Sequence, residues 1–372
     1  MKVALVHDWL VAMRGGEKCL EVFCELFPDA DLYTLVYAAE KVSPTIRRMK
    51  VHTSWVNGLP KAKSHFRYLL PLFPAAIEAF DLRDYDLILS SSHCIAKGVF
   101  PHRALHLAYI HAPMRYVWDM YPAYFTGGIS VPRAALSVCR PFLRRWDRES
   151  AGRVDHFIAN SSNVAAKINA LYGKPATVIY PPVACEKFFI RKEQDPYYLI
   201  VSALVPYKKI DIAIAAFNKL KRPLKIAGDG PLRKKLERMA ARHIEFIGWV
   251  DEARLAELYA GCQALVFPGE EDFGIVPLEA QASGRPVIGY GKGGVLETVI
   301  PLGARNGAAG PTGIFFNEQT AENLIAAVEQ FERTRDSFDS AKISRHAAGF
   351  SRDRFKAEMR GFIETRLDER RG

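Results

Sequence analysis

The sequence has no C-x-x-C pair: its six cysteines, Cys19, Cys24, Cys94, Cys139, Cys185 and Cys262, are scattered along the chain. A disulfide scaffold would be denser and a structural zinc site would need closely spaced ligands, so free thiols in a reducing compartment are expected. No window approaches the ~20 apolar residues that cross a bilayer. At the N-terminus only four apolar residues precede His7-Asp8, whereas a secretory core needs roughly 7–15. The expectation is a cytoplasmic protein, at most associated with the inner face of the membrane. G-x-x-x-x-G-K-[ST] is missing, which removes P-loop enzymes, and so are G-x-S-x-G and H-E-x-x-H, which removes the common serine hydrolases and zinc proteases.

What is present is ordinary for a globular protein: 49% hydrophobic and 25% charged residues over 372 positions. These values exclude a disordered, collagen-like or coiled-coil chain, and the length suits about two domains. Lys+Arg exceed Asp+Glu, giving a net charge of +10. That excess suits a polyanion, an anionic membrane face or a phosphorylated small molecule. No nucleic-acid-binding motif accompanies it, so no nucleic-acid partner is expected.

Short apolar runs alternate with helical patterns from end to end. Val3–Val6, Leu32–Val36, Leu87–Leu89, Leu105–Ile110, Phe157–Ala159 and Val178–Tyr180 read as buried strands, with helices over Glu17–Leu26, Arg133–Ala151 and Ser162–Leu171. A proline-bracketed stretch from Tyr180 to Pro196 reads as a linker. The pattern then restarts with strands Tyr198–Ala203, Leu224–Ala227, Ile244–Ile247, Ala264–Phe267 and Val287–Tyr290. Between them lie helices over Asp211–Leu220, Glu252–Ala260 and Ile275–Ala282. Such alternation predicts parallel sheets with helices on both faces. The expected organisation is an N-terminal Rossmann-like domain over 1–185, a second Rossmann-like domain over 186–350, and a C-terminal helix, 351–372, packing back on the first. The two domains are expected to face each other across a cleft.

The densest signal is Glu270-Glu271-Asp272-Phe273-Gly274-Ile275-Val276-Pro277-Leu278-Glu279. A strand ends before it and a helix begins near Gly274, so free helix N–H groups and the helix dipole can receive an anion, and glycine admits a close approach. Two carboxylates, Glu271 and Glu279, beside such a site suit hydroxyl recognition in a ribose or a sugar ring. An acidic surface loop on an ordinary helix would give the same spacing. The turn at Gly291, Gly293 and Gly294 reads equally as an anion site and as a tight packing turn. Two D-x-D triplets, Asp29-Ala30-Asp31 and Asp84-Tyr85-Asp86, flank strand starts where acids stay solvated, and no metal site is expected from them.

The motif E-x-F-G-x-x-x-x-E, from Glu271 to Glu279, resembles the signature of the retaining glycosyltransferases of family 4, which have the GT-B fold. Gly228-Asp229-Gly230-Pro231, Ser202-Ala203-Leu204-Val205-Pro206-Tyr207-Lys208, Ile110-His111-Ala112-Pro113 and Arg14-Gly15-Gly16-Glu17 are similar to other segments of that family, in the family's order. The resemblance implies that Glu279 holds the nucleotide ribose, Glu271 contacts the transferred sugar, and the amides of Phe273, Gly274 and Gly16 meet the diphosphate or sugar. It implies that Lys208 neutralises the diphosphate and that His111 touches the sugar near the reacting carbon, giving a catalytic set of His111, Glu271 and Lys208. Relatives commonly carry an arginine where this chain has Ala203. Lys209, Arg14 and Arg115 are candidates for the second cation, and the choice among them stays open.

The implied activity is transfer of a hexose from a nucleotide-diphosphate sugar, needing no metal or other cofactor, to a glycan or lipid-linked acceptor. The segments SALVPYKKID and YIHAPMRYVWD most resemble bacterial mannosyltransferases of surface-polysaccharide assembly, which points to GDP-mannose. The alternative is a nucleotide-sugar- or polysaccharide-binding protein with weak or no catalysis, favoured only by Ala203. Basic clusters at Lys61–Tyr68 and at Arg140, Arg144, Arg145 and Arg148 read either as a peripheral membrane contact or as solvated helices whose stems cover apolar neighbours.

Overall fold

The computed structural model describes residues 1–118, 131–304 and 310–371, with the side chains of 131–137 outside that description. The chain divides into two compact units, Met1–Pro182 with Phe355–Gly372, and Val183–Arg354. The division falls directly after the Pro181-Pro182 pair.

The first unit is built on seven parallel strands: β1 Val3–His7, β2 Asp31–Thr34, β3 Lys50–Thr53, β4 Leu87–Ser92, β5 Leu105–Ile110, β6 His156–Ala159 and β7 Ala176–Val178. Their order across the sheet is β3-β2-β1-β4-β5-β6-β7. Its helices include α1 Gly15–Leu26, α2 Val131–Ala151 and α3 Ser162–Tyr172. Alternate residues of the central strands serve opposite faces, as the period of a strand requires. Val3, Leu5, Leu87, Leu89, Leu105 and Leu107 pack on one side with Phe23 of α1. Ala4, Val6 and Ile88 pack on the other with Trp9, Phe73 and Trp146.

The second unit carries β8 Tyr198–Val201, β9 Leu224–Ala227, β10 Ile244–Gly248, β11 Leu265–Phe267, β12 Val287–Tyr290 and β13 Gly313–Phe316, in the order β10-β9-β8-β11-β12-β13. Its helices include α4 Ile210–Leu220, α5 Arg233–Met239, α6 Glu252–Gly261, α7 Ile275–Ala282, α8 Ala321–Arg333 and α9 Ser340–Ala348. The final helix α10, Arg352–Arg371, runs out of this unit and buries Phe355, Met359 and Ile363 in the first. There the Phe355 ring lies 5.6 Å from those of Phe23 and Tyr109.

The structure differs from the sequence reading in several places, among them β3, which pairs with β2 and was not expected. The core of the second unit is not complete at Tyr290, because β13 pairs with β12 and α8 covers it. Helix α1 begins at Gly15 rather than at Glu17. Helix α5 starts at Arg233, two residues past Pro231. The last strand of the first unit is Ala176–Val178 rather than Val178–Tyr180. In both sheets the strand order reverses once, between β1 and β4 and between β8 and β11. In open α/β sheets ligands bind outside the carboxyl ends of the strands at that reversal.

Candidate active site

In the second unit the chain leaving β8 turns through Ser202–Pro206 and ends in a single 3-10 turn at Lys208. Lys208 is therefore seven residues past the strand, not at its end. The chain leaving β11 passes Gly269, where a Cβ would stand 3.0 Å from the Lys208 Cα. This backbone approach sets Lys208 beside the following loop. Its Nζ donates to Oε1 of Glu271, and the two side chains are only 14% and 22% exposed. The two residues expected to serve different parts of the donor are thus each other's ion-pair partners.

Gly274 caps α7 with φ of 102°, a conformation that favours glycine. Phe273 is buried, its ring 6.1 Å from that of Phe350. Glu279, just over one turn into α7, is 5% exposed, and the buried Tyr259 hydroxyl of α6 donates to its Oε2 over 3.0 Å. Glu279 sits deep and is oriented by a tyrosine that no motif announced.

The glycine turn after β12 resolves into packing. Gly289, Gly291 and Gly294 have the G-x-G-x-x-G spacing of a dinucleotide loop. A Cβ on Gly294 would meet Phe273 Cα at 2.3 Å and one on Gly293 the Glu271 carbonyl oxygen at 2.4 Å. The Gly294 N–H donates to that carbonyl at 2.9 Å. The turn holds the Glu271–Phe273 loop in place, and the loop's backbone fills the space a phosphate would need there. Gly228 and Gly230 do the same for the other loop, against the Ser202 and Leu204 carbonyls at 2.0 and 2.5 Å.

In the first unit, Gly16 and His111 come together: a Cβ on Gly16 would lie 3.6 Å from His111 Nε2 and 3.6 Å from His7 Cε1. His111 follows β5. Its N–H donates to Ser92 O at 2.8 Å, its carbonyl accepts from Asn160 at 3.0 Å, and its Nε2 shares a 2.8 Å hydrogen bond with Ser91 Oγ. The same Oγ lies 3.1 Å from His7 Nδ1. Burial drives both imidazoles toward the neutral form, His7 to about 4 and His111 well below the ordinary histidine value, with His93 adding to the effect. Asp8, also buried, accepts the N–H groups of His93, Cys94, Ile95 and Ala96 at 2.5–3.1 Å and pairs with His93 Nδ1 at 2.9 Å. Burial alone would raise its carboxyl, but His93 and these hydrogen bonds outweigh that and hold it below the usual range. His7, Asp8, Ser91 and His93 were missed from the sequence. Their signal was available: they end the two apolar runs, β1 and β4, that meet at the strand reversal.

Among the described residues no group of three or more His, Cys, Asp or Glu is placed to hold a metal ion. Asp31 of the first D-x-D triplet is occupied by His52, Lys50 and Tyr85 at 2.7, 2.9 and 2.7 Å. Of the candidate second cations, Arg14 caps α1 and Lys209, with φ of 54°, precedes α4. Arg144 and Arg148 lie 4.7 and 4.9 Å from the centre of the Trp118 ring, and Arg140 and Arg144 both donate to the Val117 carbonyl. Among the described residues no helix is long and apolar enough to cross a membrane.

Two compact units, each built on a parallel sheet whose strand order reverses once, have the architecture of the two-domain GT-B class. The model of the glycosyltransferase family 4 matches residues 14–187, and that of the group 1 glycosyl transferases matches residues 186–347. The chain belongs to the family 4 glycosyltransferases. An uncharacterised glycosyltransferase of Methanocaldococcus jannaschii is 33% identical over 39% of this chain and 43% of its own. The O-antigen chain mannosyltransferase RfbU of Salmonella typhimurium is 26% identical over 64% of this chain and 66% of its own. The fold matches that of Anabaena HepE, solved with UDP and glucose, with a TM-score of 0.72 and 17% identity over 98% of this chain and 99% of that one. The chain spans 43%, 30% and 28% of the lengths of three curated relatives it matches.

Proposed function

We propose that the protein transfers a hexose from a nucleotide-diphosphate sugar to a glycan or lipid-linked acceptor, with retention at the anomeric carbon. The observation that carries this reading is the assembly at the β8/β11 reversal: Lys208 paired with Glu271 beside the Gly274 helix start, with Glu279 oriented by Tyr259. In this reading Glu279 accepts from the ribose hydroxyls and the Phe273 and Gly274 amides meet the diphosphate. Lys208 offsets charge growing on the leaving group, which is where a fixed cation lowers a barrier. Glu271 orients the sugar, and Gly16 and His111 keep the roles that the family resemblance implies for them. The bond from the anomeric carbon to the phosphate oxygen breaks as the acceptor oxygen attacks from the same face, and the departing phosphate oxygen takes the acceptor proton. The reaction uses no metal.

The O-antigen mannosyltransferase relatives support mannose, with GDP-mannose as donor, although the solved HepE complex carries UDP. The basic cluster Arg140, Arg144, Arg145 and Arg148 of α2 supports a peripheral contact with an anionic membrane face. The test is release of nucleoside diphosphate from GDP-mannose, UDP-glucose and ADP-glucose in the presence of alkyl mannosides, with and without EDTA. GDP release from GDP-mannose that survives EDTA and is lost in Lys208→Ala is expected. Binding of a donor with no turnover on any acceptor would replace transfer by the nucleotide-sugar-binding alternative.

A further inference from the structure

We propose that His7 and Ser91 are positioning residues that fix His111 in the tautomer with its proton on Nδ1, so that it meets the substrate as a neutral hydrogen-bond donor. This rests on the reading of His111 as a group that touches the transferred sugar. His7 and Ser91 are register partners on β1 and β4, and both are fully buried. One hydroxyl stands between two imidazoles, 3.1 Å from His7 Nδ1 and 2.8 Å from His111 Nε2. A serine hydroxyl has a single proton. Oγ could accept from both rings, but among the described residues it has no other hydrogen-bond partner, so its buried proton is satisfied only if one ring accepts it while the other donates.

The other end of the chain decides the polarity. His7 Nε2 is buried and has no hydrogen-bond partner. If Ser91 donated to His7, that Nε2 would carry a buried, unpaired N–H, a rare and costly state. It would also point that N–H toward the region where His7 Cε1 borders Gly16, in the first turn of the twelve-residue α1, whose dipole presents positive charge. Glu17 on the same turn directs its carboxylate to the Arg14 N–H, 3.0 Å away. A lone pair on His7 Nε2 suits that field. His7 therefore donates from Nδ1 to Ser91, and Ser91 donates to His111 Nε2. The remaining proton of the neutral His111 is on Nδ1. Backbone hydrogen bonds to Ser92 and from Asn160 hold the residue in place. A histidine so arranged cannot take a proton through Nε2. Its role is to donate to a sugar hydroxyl or to developing negative charge, leaving proton removal to the departing phosphate.

The test is nitrogen NMR of the full chain with 15N-labelled histidine, at pH 6 and pH 8. Wild type is expected to show His111 with Nδ1 protonated and Nε2 bare at both pH values. Ser91→Ala is expected to populate the other tautomer and lower kcat by about tenfold or more, with the Kd for the nucleoside diphosphate unchanged and the loss recovered in Ser91→Thr. A wild-type His111 protonated on Nε2 would overturn the proposal, as would a Ser91→Ala protein that keeps both tautomer and kcat. The wild-type spectrum decides the relay even if a variant fails to fold or no sugar transfer is detected, so its failure is distinct from that of the proposed function.

Discussion

Replacing Glu271 by Gln should move stability and nucleotide affinity in opposite directions. In the free protein Glu271 is the ion-pair partner of Lys208, and both side chains are mostly withdrawn from water. Exposed pairs contribute ~0–1 kcal/mol and breaking fully buried ones costs ~3–5, so this intermediate pair is worth about 1–2 kcal/mol. For a unit the size of Val183–Arg354 that is a fall in Tm of roughly 3–6 °C. In the proposed nucleotide complex the same carboxylate would face a diphosphate, as a like charge that also competes for the lysine. At ~8 Å and an effective dielectric of ~20–40, removing it is worth about 1–2 kcal/mol, or a Kd for GDP that is ~5–30-fold lower. Lys208→Met should lower Tm by a similar amount and raise that Kd. Both are read by calorimetric titration and thermal unfolding at low ionic strength. If Glu271→Gln weakened GDP binding as Lys208→Met does, the lysine would not be shared between glutamate and phosphate, and the electrostatic reasoning would fail.

Tyr259→Phe should raise the nucleotide Kd about tenfold or more, the loss of one hydrogen bond to a charged group. Glu279→Ala should raise it further, and equal affinity in both variants would remove the ribose assignment. Gly294→Ala places a Cβ 2.3 Å from Phe273 Cα and should cost at least ~1–3 kcal/mol as overpacking does, seen as a lower Tm; an unchanged Tm would show that the turn yields. The first unit should lose stability on acidification. His7 titrates near 6.5 when unfolded but at about 4 when folded, so between those values the unfolded chain binds more protons and stability falls as pH falls. The full effect is on the order of 3 kcal/mol, followed below pH 4 by the contribution of Asp8. Denaturant midpoints of wild type and His7→Leu at pH 7.5 and 5 measure it, and equal slopes in the two proteins would contradict it.

The two sheets and most of their helices were legible because a buried parallel strand is a continuous apolar run and its crossover helix keeps a 3.6 period. The loop around Gly274 was legible because a helix start on an anion needs glycine and carboxylates at fixed offsets. The contacts that organise the sites were not. His7 and Ser91 are 84 residues apart, Lys208 and Glu271 are 63 apart, and Tyr259 reaches Glu279 from another helix. Such pairings depend on strand order, which local patterns do not encode. β13 escaped notice because Gly313–Phe316 is four residues long and begins with a glycine, whose missing side chain the Val287 carbonyl requires.

The most direct measurement is thermal unfolding of the wild type and Glu279→Ala with GDP, UDP, ADP and dTDP, each with and without EDTA. A ligand at ~100 Kd stabilises the fold by about 2.7 kcal/mol. One nucleotide, with GDP expected, should raise the Tm of the wild type regardless of EDTA and raise that of Glu279→Ala clearly less. No shift with any nucleotide, or the same shift in both proteins, would contradict a donor site at the β8/β11 reversal.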